Sequence, residues 1–149
     1  MVDVSKRDGQ LRDAIELFYF AYRSFTAEPD RMLAEQGLGR AHHRILYFVG
    51  RNPDIAVNAL LAVLAVSKQA LHAPLRKLLE GRWITVRADA QDRRFKRLRL
   101  TEAGKRLEAR LTGAQMRHLG TVLAAAGDQG EEAWKSVMRA MSARGSRLP

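Results

Sequence analysis

The element order of this chain is set by residues 56–101, which read AVNALLAVLAVSKQALHAPLRKLLEGRWITVRADAQDRRFKRLRLT. Two short segments with apolar stripes predict two helices, joined by a tight turn at Ala65 and Val66. Ser67 stands where the second helix begins, and a serine hydroxyl there accepts a hydrogen bond from an unpaired backbone N–H. Gly81 is the expected end of that helix. The stretch therefore begins as a helix-turn-helix.

Two strands are predicted directly after this pair of helices. Residues 84–87 and residues 97–100 alternate apolar and polar side chains, which indicates a hairpin with one buried and one basic face. The connection, residues 88–96, is rich in arginine. Helix, turn, helix and basic hairpin form the order of a winged helix-turn-helix, which places a helix in the DNA major groove and a loop on the flanking backbone. The predicted fold class is mainly α with this small β-hairpin.

The segments on either side are helical by pattern. Apolar residues recur at helical spacing through residues 10–26, and in the second half of this stretch they cover most faces of the predicted helix. Such a helix needs cover from more than one side, and we expect a second copy of the chain to supply it; packing within its own domain is the alternative. Pro29 and Asp30 are predicted to end this helix, before a short helical turn at residues 32–36 and a helix at residues 40–50. After Thr101 a helix should run toward Ala126, break near Gly127, and resume before a basic, frayed tail at residues 143–149.

The charge is concentrated in the same part of the chain. Thirteen of its 26 basic and five of its 16 acidic residues lie between Ser67 and Arg110, so this segment carries +8 of the net charge of +10. The excess predicts an anionic partner, with double-stranded DNA favoured over an anionic membrane surface because of the helix-turn-helix pattern. The phosphate contacts of such a patch carry affinity but little sequence information.

Several classes of site are disfavoured by composition. The chain of 149 residues has no cysteine, which excludes disulfides and thiolate metal sites. His42 and His43 are adjacent, and neighbours in a helix point about 100° apart, so no metal is predicted there. No nucleophile motif or phosphate-binding glycine loop is present, and therefore neither an enzyme nor a cofactor is expected. The first residues lack a signal-peptide core and the longest apolar run is shorter than the roughly 20 residues of a membrane span, so we expect a cytoplasmic protein.

A spacing in the hairpin carries a resemblance to a known family. Asp92, one residue, Arg94, five residues and then Leu100-Thr101, with Gly104 following, resembles the wing signature of the MarR family of bacterial transcription regulators. Residues 67–71 stand where that family begins its recognition helix, and the likeness covers nearly the whole chain. The resemblance implies one domain over residues 1–149. Residues 55–101 would be the winged helix-turn-helix, and residues 10–50 and 102–144 would be helices that intertwine in a homodimer.

The same resemblance implies functional residues. Arg94 would enter the minor groove, where the potential is most negative, and Asp92 would orient it by a charged hydrogen bond. Side chains at the start of the second helix are placed to meet base edges, with Gln69 able to pair with adenine. The predicted DNA contacts are Ser67, Lys68, Gln69, His72, Arg76, Asp92, Arg93, Arg94, Lys96 and Arg97.

Two residues depart from the family pattern. Ala65 replaces a common glycine, and Pro74 predicts either a kink or a shorter recognition helix.

The resemblance also implies regulation. Family members often repress promoters, and many release DNA when a small aromatic compound binds between the dimer and DNA-binding regions. We assign such a cleft to Phe18, Tyr22, His42, His43 and Arg44; the alternative is that they are ordinary core and surface residues. The sequence thus predicts a sequence-specific homodimeric regulator, a repressor on a pseudo-palindromic operator. The alternative is an architectural protein that binds DNA without sequence preference.

Overall fold

Within residues 3–145, five helices and three short strands share one core of leucine, isoleucine and valine side chains. The computed structural model describes residues 3–145. The helices are α1 (Val4–Glu35), α2 (Arg40–Arg51), α3 (Val57–Leu64), α4 (Lys68–Glu80) and α5 (Glu102–Gly145), and the strands are β1 (Ile55–Ala56), β2 (Ile84–Ala88) and β3 (Lys96–Leu100). The mainly α fold class is confirmed, with a sheet one strand larger than predicted. The end of the predicted basic tail, residues 146–149, lies outside the described residues.

Helix α1 is longer than its sequence predicts. Pro29 was expected to end it, but the helix continues through Pro29 to Glu35 and absorbs the short helical turn expected at residues 32–36. A proline in a helix removes one backbone hydrogen bond and crowds the preceding turn. Here Thr26, Pro29 and Leu33 are the buried residues of α1, so the packing of this stretch outweighs the local cost of the proline. The prediction of a helix end at Pro29 was therefore wrong.

The helix-turn-helix is built as predicted. Ala65 follows α3 in the left-handed conformation, with φ 52° and ψ 42°. The Ser67 hydroxyl accepts a hydrogen bond from the Ala70 N–H at 3.0 Å, which satisfies one unpaired donor at the start of α4. Helix α4 continues past Pro74 to Glu80, so the alternative of a shorter recognition helix is wrong. Leu71 and Leu78 on its inner face belong to the common core.

The wing contains a strand that the sequence did not reveal. Strand β3 lies between β1 and β2, and both neighbours run antiparallel to it. Leu98 pairs with Ile55 on one side and with Val86 on the other. Ile55 and Ala56 had been predicted as the start of the following helix, because two residues are too few to show an alternating pattern. Val86 is 46% exposed although its partner Leu98 is fully buried, so β2 is buried only at Ile84, at the base of the hairpin.

The start of helix α5 is hydrogen-bonded to the residues that precede β2. The Thr101 hydroxyl accepts the Gly104 N–H at 3.0 Å and donates to the Arg82 carbonyl at 2.7 Å, which confirms Thr101 as the predicted cap. At Gly104 an added Cβ would lie 2.0 Å from the Trp83 carbonyl oxygen, so only glycine permits this approach. The predicted break is confirmed at Gly127, whose φ of 79° is not helical. Within residues 3–145 no helix has both the length and the apolar character that a membrane crossing requires.

The left-handed turn between α3 and α4 gives a stability prediction. A Cβ in this conformation costs about 1 kcal/mol, so Ala65→Gly is expected to raise the free energy of unfolding by about that amount. Ala62→Gly, three residues earlier within α3, is the matched control and is expected to lower it by about 1 kcal/mol. Urea unfolding followed by circular dichroism measures both variants. A destabilising Ala65→Gly would contradict the strain assigned to this turn.

Candidate nucleic-acid interface

The first half of α4 presents polar side chains to solvent. Lys68, Gln69 and His72 are exposed there, beyond the Ser67 cap. Arg76, one turn further, is also exposed, and its Nε lies 2.8 Å from Glu80 Oε1. An exposed pair four residues apart on a helix stabilises by only a few tenths of a kcal/mol, and Arg76 stays on the solvent face of α4. The structure thus places all five sequence-predicted residues at or on one helix.

The tip of the wing is a hydrogen-bonded loop. The Asp89 carboxylate accepts the backbone N–H groups of Gln91 and Asp92, at 2.8 and 3.2 Å. The Asp89 N–H donates to the Phe95 carbonyl at 2.9 Å, and the Phe95 N–H donates to the Asp92 carbonyl at 3.1 Å. These bonds fix the backbone of residues 89–95, so the arginines between them start from a defined position.

Asp92 and Arg94 form a two-pronged ion pair at that tip. Arg94 Nη2 lies 2.8 Å from Asp92 Oδ2 and its Nε lies 3.0 Å from Oδ1, while the Arg94 N–H also donates to Oδ1 at 3.0 Å. The Arg94 guanidinium, followed by the Arg94 N–H, lowers the pKa of the Asp92 carboxyl, and the same pairing raises the pKa of Arg94. The Arg94 side chain remains 88% exposed and that of Asp92 31%. The guanidinium is therefore oriented without being covered.

The remaining sequence-predicted wing residues divide into two groups. Arg93 and Lys96 are exposed. Arg97 is half-buried: its Nη2 lies 2.8 Å from Asp89 Oδ2, and its Nη1 donates to the Asp54 carbonyl at 3.4 Å. The pKa of Asp89 is lowered first by the Gln91 N–H and then by Arg97. Arg97 therefore ties the tip to the base of the wing, and its contact with DNA stays a prediction.

The base of the wing holds a group that sequence reasoning missed. Asp54, in the turn between α2 and β1, pairs with Arg87 of β2 and Arg99 of β3, with Arg87 Nη2 3.3 Å from its Oδ1. Hydrogen bonding to Arg99 is the first cause that lowers the pKa of Asp54. Separations of 33 and 45 residues left no local signal for these pairs. The positive φ of Asp54 is a second feature that sequence does not show.

A separate cleft of about 330 Å³ opens between α1, α2 and α5. Tyr22, His43 and Arg44, three of the five residues predicted to bind an effector, line it. Phe18 and His42 do not: Phe18 is exposed elsewhere on α1, and His42 Nδ1 accepts the Gly39 N–H at 2.9 Å to cap α2. The lining residues missed by sequence include Phe25, Thr26, Tyr47, Phe48, Thr112, Met116 and Leu119. Those on α5 lie too far along the chain for a local pattern to join them to α1.

Cations outnumber anions at the wall of this cleft. Arg40 pairs with Asp30 through Nη2–Oδ2 at 2.8 Å, with its guanidinium 5.5 Å from the centre of the Tyr22 ring. Arg44 Nη2 donates to the Tyr22 hydroxyl at 3.4 Å. His43 Nε2 lies 3.3 Å from Thr112 Oγ1, and burial lowers the pKa of His43, which keeps its imidazole neutral at pH 7. Arg40 is thus balanced by a carboxylate, whereas Arg44 meets the Tyr22 hydroxyl.

The arrangement of α3 and α4 followed by the β2–β3 wing defines a winged helix-turn-helix protein. Among residues 3–145 no group of three or more histidine and carboxylate side chains is placed to hold a metal ion.

Comparison with known proteins agrees with this class. The model of the MarR family matches residues 36–94. The HTH-type transcriptional regulator PetP of Rhodobacter capsulatus is 42% identical over 134 residues, which cover 90% of this chain and 81% of PetP. A DNA complex of MepR from S. aureus is similar in fold, with a TM-score of 0.72 and 20% identity over 88% of this chain and 96% of MepR. A MarR protein from Peptoclostridium difficile gives a TM-score of 0.74 at 19% identity over 97% and 92% of the two chains.

The chain belongs to the MarR family. It is a helix-turn-helix transcriptional regulator and not an enzyme, as its sequence predicted.

Proposed function

We propose that this regulator binds double-stranded DNA with α4 in the major groove and the tip of the wing in the adjacent minor groove. The single observation that carries the proposal is the oriented, solvent-exposed guanidinium of Arg94. A side chain held by Asp92 loses less freedom on binding, and a narrow minor groove attracts arginine. MepR of S. aureus, which is similar in fold, has been solved in complex with DNA, which supports DNA binding by this fold. The cytoplasmic location expected from the sequence stays a prediction.

The DNA-binding unit is proposed to act as one of a pair in a homodimer. Helix α1 and the second half of α5 expose many large apolar side chains, which a stable monomer rarely leaves in water. They include Leu11, Ile15, Leu17, Phe18, Tyr19 and Phe20 on α1, and Val122, Trp134, Val137 and Met141 on α5. These residues fall within residues 10–50 and 102–144, the two segments assigned to dimerisation, while residues 55–101 form the DNA-binding region. Two such units read a pseudo-palindromic operator with half-sites about 10 base pairs apart.

Occupation of that operator is proposed to repress transcription and to be relieved by a small molecule. The cleft lined by Tyr22, His43 and Arg44 combines aromatic walls with a guanidinium that no carboxylate balances at the cleft wall. This combination favours a small aromatic anion, whose ring packs on Tyr22 and Tyr47 and whose carboxylate pairs with Arg44. The cleft lies between α1, α2 and α5, so a ligand there contacts the helices proposed to join the two subunits.

The wing assignment predicts that Arg94→Ala weakens specific binding by roughly 5- to 150-fold, because an oriented groove contact is lost. A duplex enriched from random sequences by the wild-type protein, titrated by fluorescence anisotropy, measures the change. Arg12→Ala removes the same charge from an exposed position on α1 and is expected to change the affinity much less. Wild-type affinity in Arg94→Ala would contradict the assignment. A wild-type protein that prefers no duplex by roughly 10³-fold would instead favour an architectural DNA-binding protein.

The dimer assignment predicts that Ile15→Glu separates the subunits, because it buries a charge in the apolar face of α1. Light scattering after size exclusion is expected to give twice 16.8 kDa for the wild-type protein and a single 16.8 kDa subunit for the variant. Val86→Glu is the control: Val86 is similarly apolar and exposed but lies on the wing, so this variant should remain a dimer. A monomeric wild-type protein would refute the assignment.

The effector assignment predicts that aromatic carboxylates such as benzoate raise the melting temperature of the wild-type protein, since a ligand stabilises the state that binds it. Arg44→Gln should lose most of this shift. Arg51→Gln, two turns further along α2 and outside the cleft, is the control and should keep it. Equal shifts in Arg44→Gln and the wild-type protein would place the ligand elsewhere. If no aromatic carboxylate raises the melting temperature of the wild-type protein, the proposal that the cleft binds such an effector is wrong.

A further inference from the structure

Asp54 is held in place from both its backbone and its side chain. Its φ is 66°, a left-handed conformation that aspartate tolerates better than most residues. The Asp54 N–H donates to the Leu98 carbonyl at 3.0 Å, and its own carbonyl accepts Arg97 Nη1 at 3.4 Å. One carboxylate oxygen faces Arg87 and the other faces Arg99. A residue outside the hairpin thus holds one arginine from each of its two strands.

These arginines share one face of the hairpin because of its register. Arg87 lies opposite Arg97 in the sheet, and Arg99 lies opposite Thr85. On β3, Arg97 and Arg99 flank the inward-facing Leu98, so their side chains and that of Arg87 emerge on the opposite face. Like charges opposite each other on a sheet repel. Two carboxylates, Asp54 and Asp89, offset this repulsion from outside the strands. The uncompensated positive charge of the wing is thereby shifted from its base toward its tip.

We propose that Asp54 is a positioning residue of the wing. It sets DNA specificity by fixing the direction of the tip, and it lowers binding to every duplex by holding Arg87 and Arg99 on the protein and away from phosphates. This inference rests on the proposed DNA binding and extends it. Phosphate contacts add affinity for every sequence equally, so the arginines that the protein retains lower binding to all duplexes and flatten its salt dependence. The same carboxylate ties both strands to the turn after α2, which fixes the direction in which the tip points.

Asp54→Asn tests the proposal with little change of shape. Asparagine also accepts the left-handed backbone, so the variant removes the charge and keeps the turn. The probes are the duplex enriched by the wild-type protein and a random duplex of the same length, each titrated over a range of NaCl concentrations. The ratio of the two affinities is expected to fall by about fivefold or more. The plot of log Kd against log salt for the random duplex should steepen by about 1 to 2, since one or two additional phosphates are neutralised.

The control variant is Asp8→Asn, which removes a carboxylate from an exposed position near the start of α1, outside the segments assigned to DNA binding and dimerisation. It changes the net charge equally and should leave the ratio and the salt slope unchanged. Adding Arg87→Gln and Arg99→Gln to Asp54→Asn should return the slope for random DNA to the wild-type value. Melting temperatures of all variants show whether the fold is intact.

A second measurement keeps the test decisive if Asp54→Asn unfolds. In an otherwise wild-type chain, Arg87→Gln with Arg99→Gln should leave the salt slope for random DNA nearly unchanged, because Asp54 already withholds both groups. A slope smaller by about 2 would mean that these arginines contact phosphates and would overturn the proposal. An unchanged affinity ratio and slope in folded Asp54→Asn would overturn it as well. If the wild-type protein enriches no duplex from random sequences, that result overturns the proposed function itself, whatever the role of Asp54.

Discussion

The burial of Leu98 is the constraint from which the chemistry of the wing follows. Leu98 is fully buried and lies in the central strand, paired with both of its neighbours. Side chains alternate along a strand, so Arg97 and Arg99 must emerge on the opposite face, where Arg87 of β2 joins them. A surface that gathers three guanidinium groups requires nearby carboxylates. Asp54 and Asp89 supply them from two different turns.

This pairing separates two kinds of arginine that look alike in the sequence. Those at the base of the wing are engaged by Asp54 and Asp89 from other turns, whereas Arg93 at the tip is exposed and Arg94, paired with its neighbour Asp92, stays 88% exposed. The proposed interface benefits from this division, because a wing that is held at its base presents the arginines of its tip in one direction. The net charge of +8 between Ser67 and Arg110 therefore overstates the charge that the proposed interface offers to DNA.

The apolar surface and the cleft meet on the same two helices. Helix α1 exposes one series of large side chains to solvent and turns Tyr22, Phe25 and Thr26 into the cleft. Helix α5 contributes the opposite wall and continues from the Thr101 cap of the wing. Lys77 of α4 donates to the Gly37 carbonyl, in the turn between α1 and α2. A ligand in the cleft would thus contact helices that are joined directly to both α4 and the wing.

The sequence by itself determined the elements whose signals are local. The Ser67 cap, the tight turn at Ala65 and Val66, the hairpin, the Thr101 cap and the break at Gly127 each depend on a few consecutive residues, and all were predicted. The tertiary structure alone decided that α1 continues through Pro29, because burial of that stretch outweighs a local propensity. It alone also decided that β1 joins the sheet, that Phe18 and His42 lie outside the cleft, and that Asp54 meets Arg87 and Arg99. These features depend on contacts between residues far apart in the chain, and no periodicity or spacing encodes which distant partners will meet.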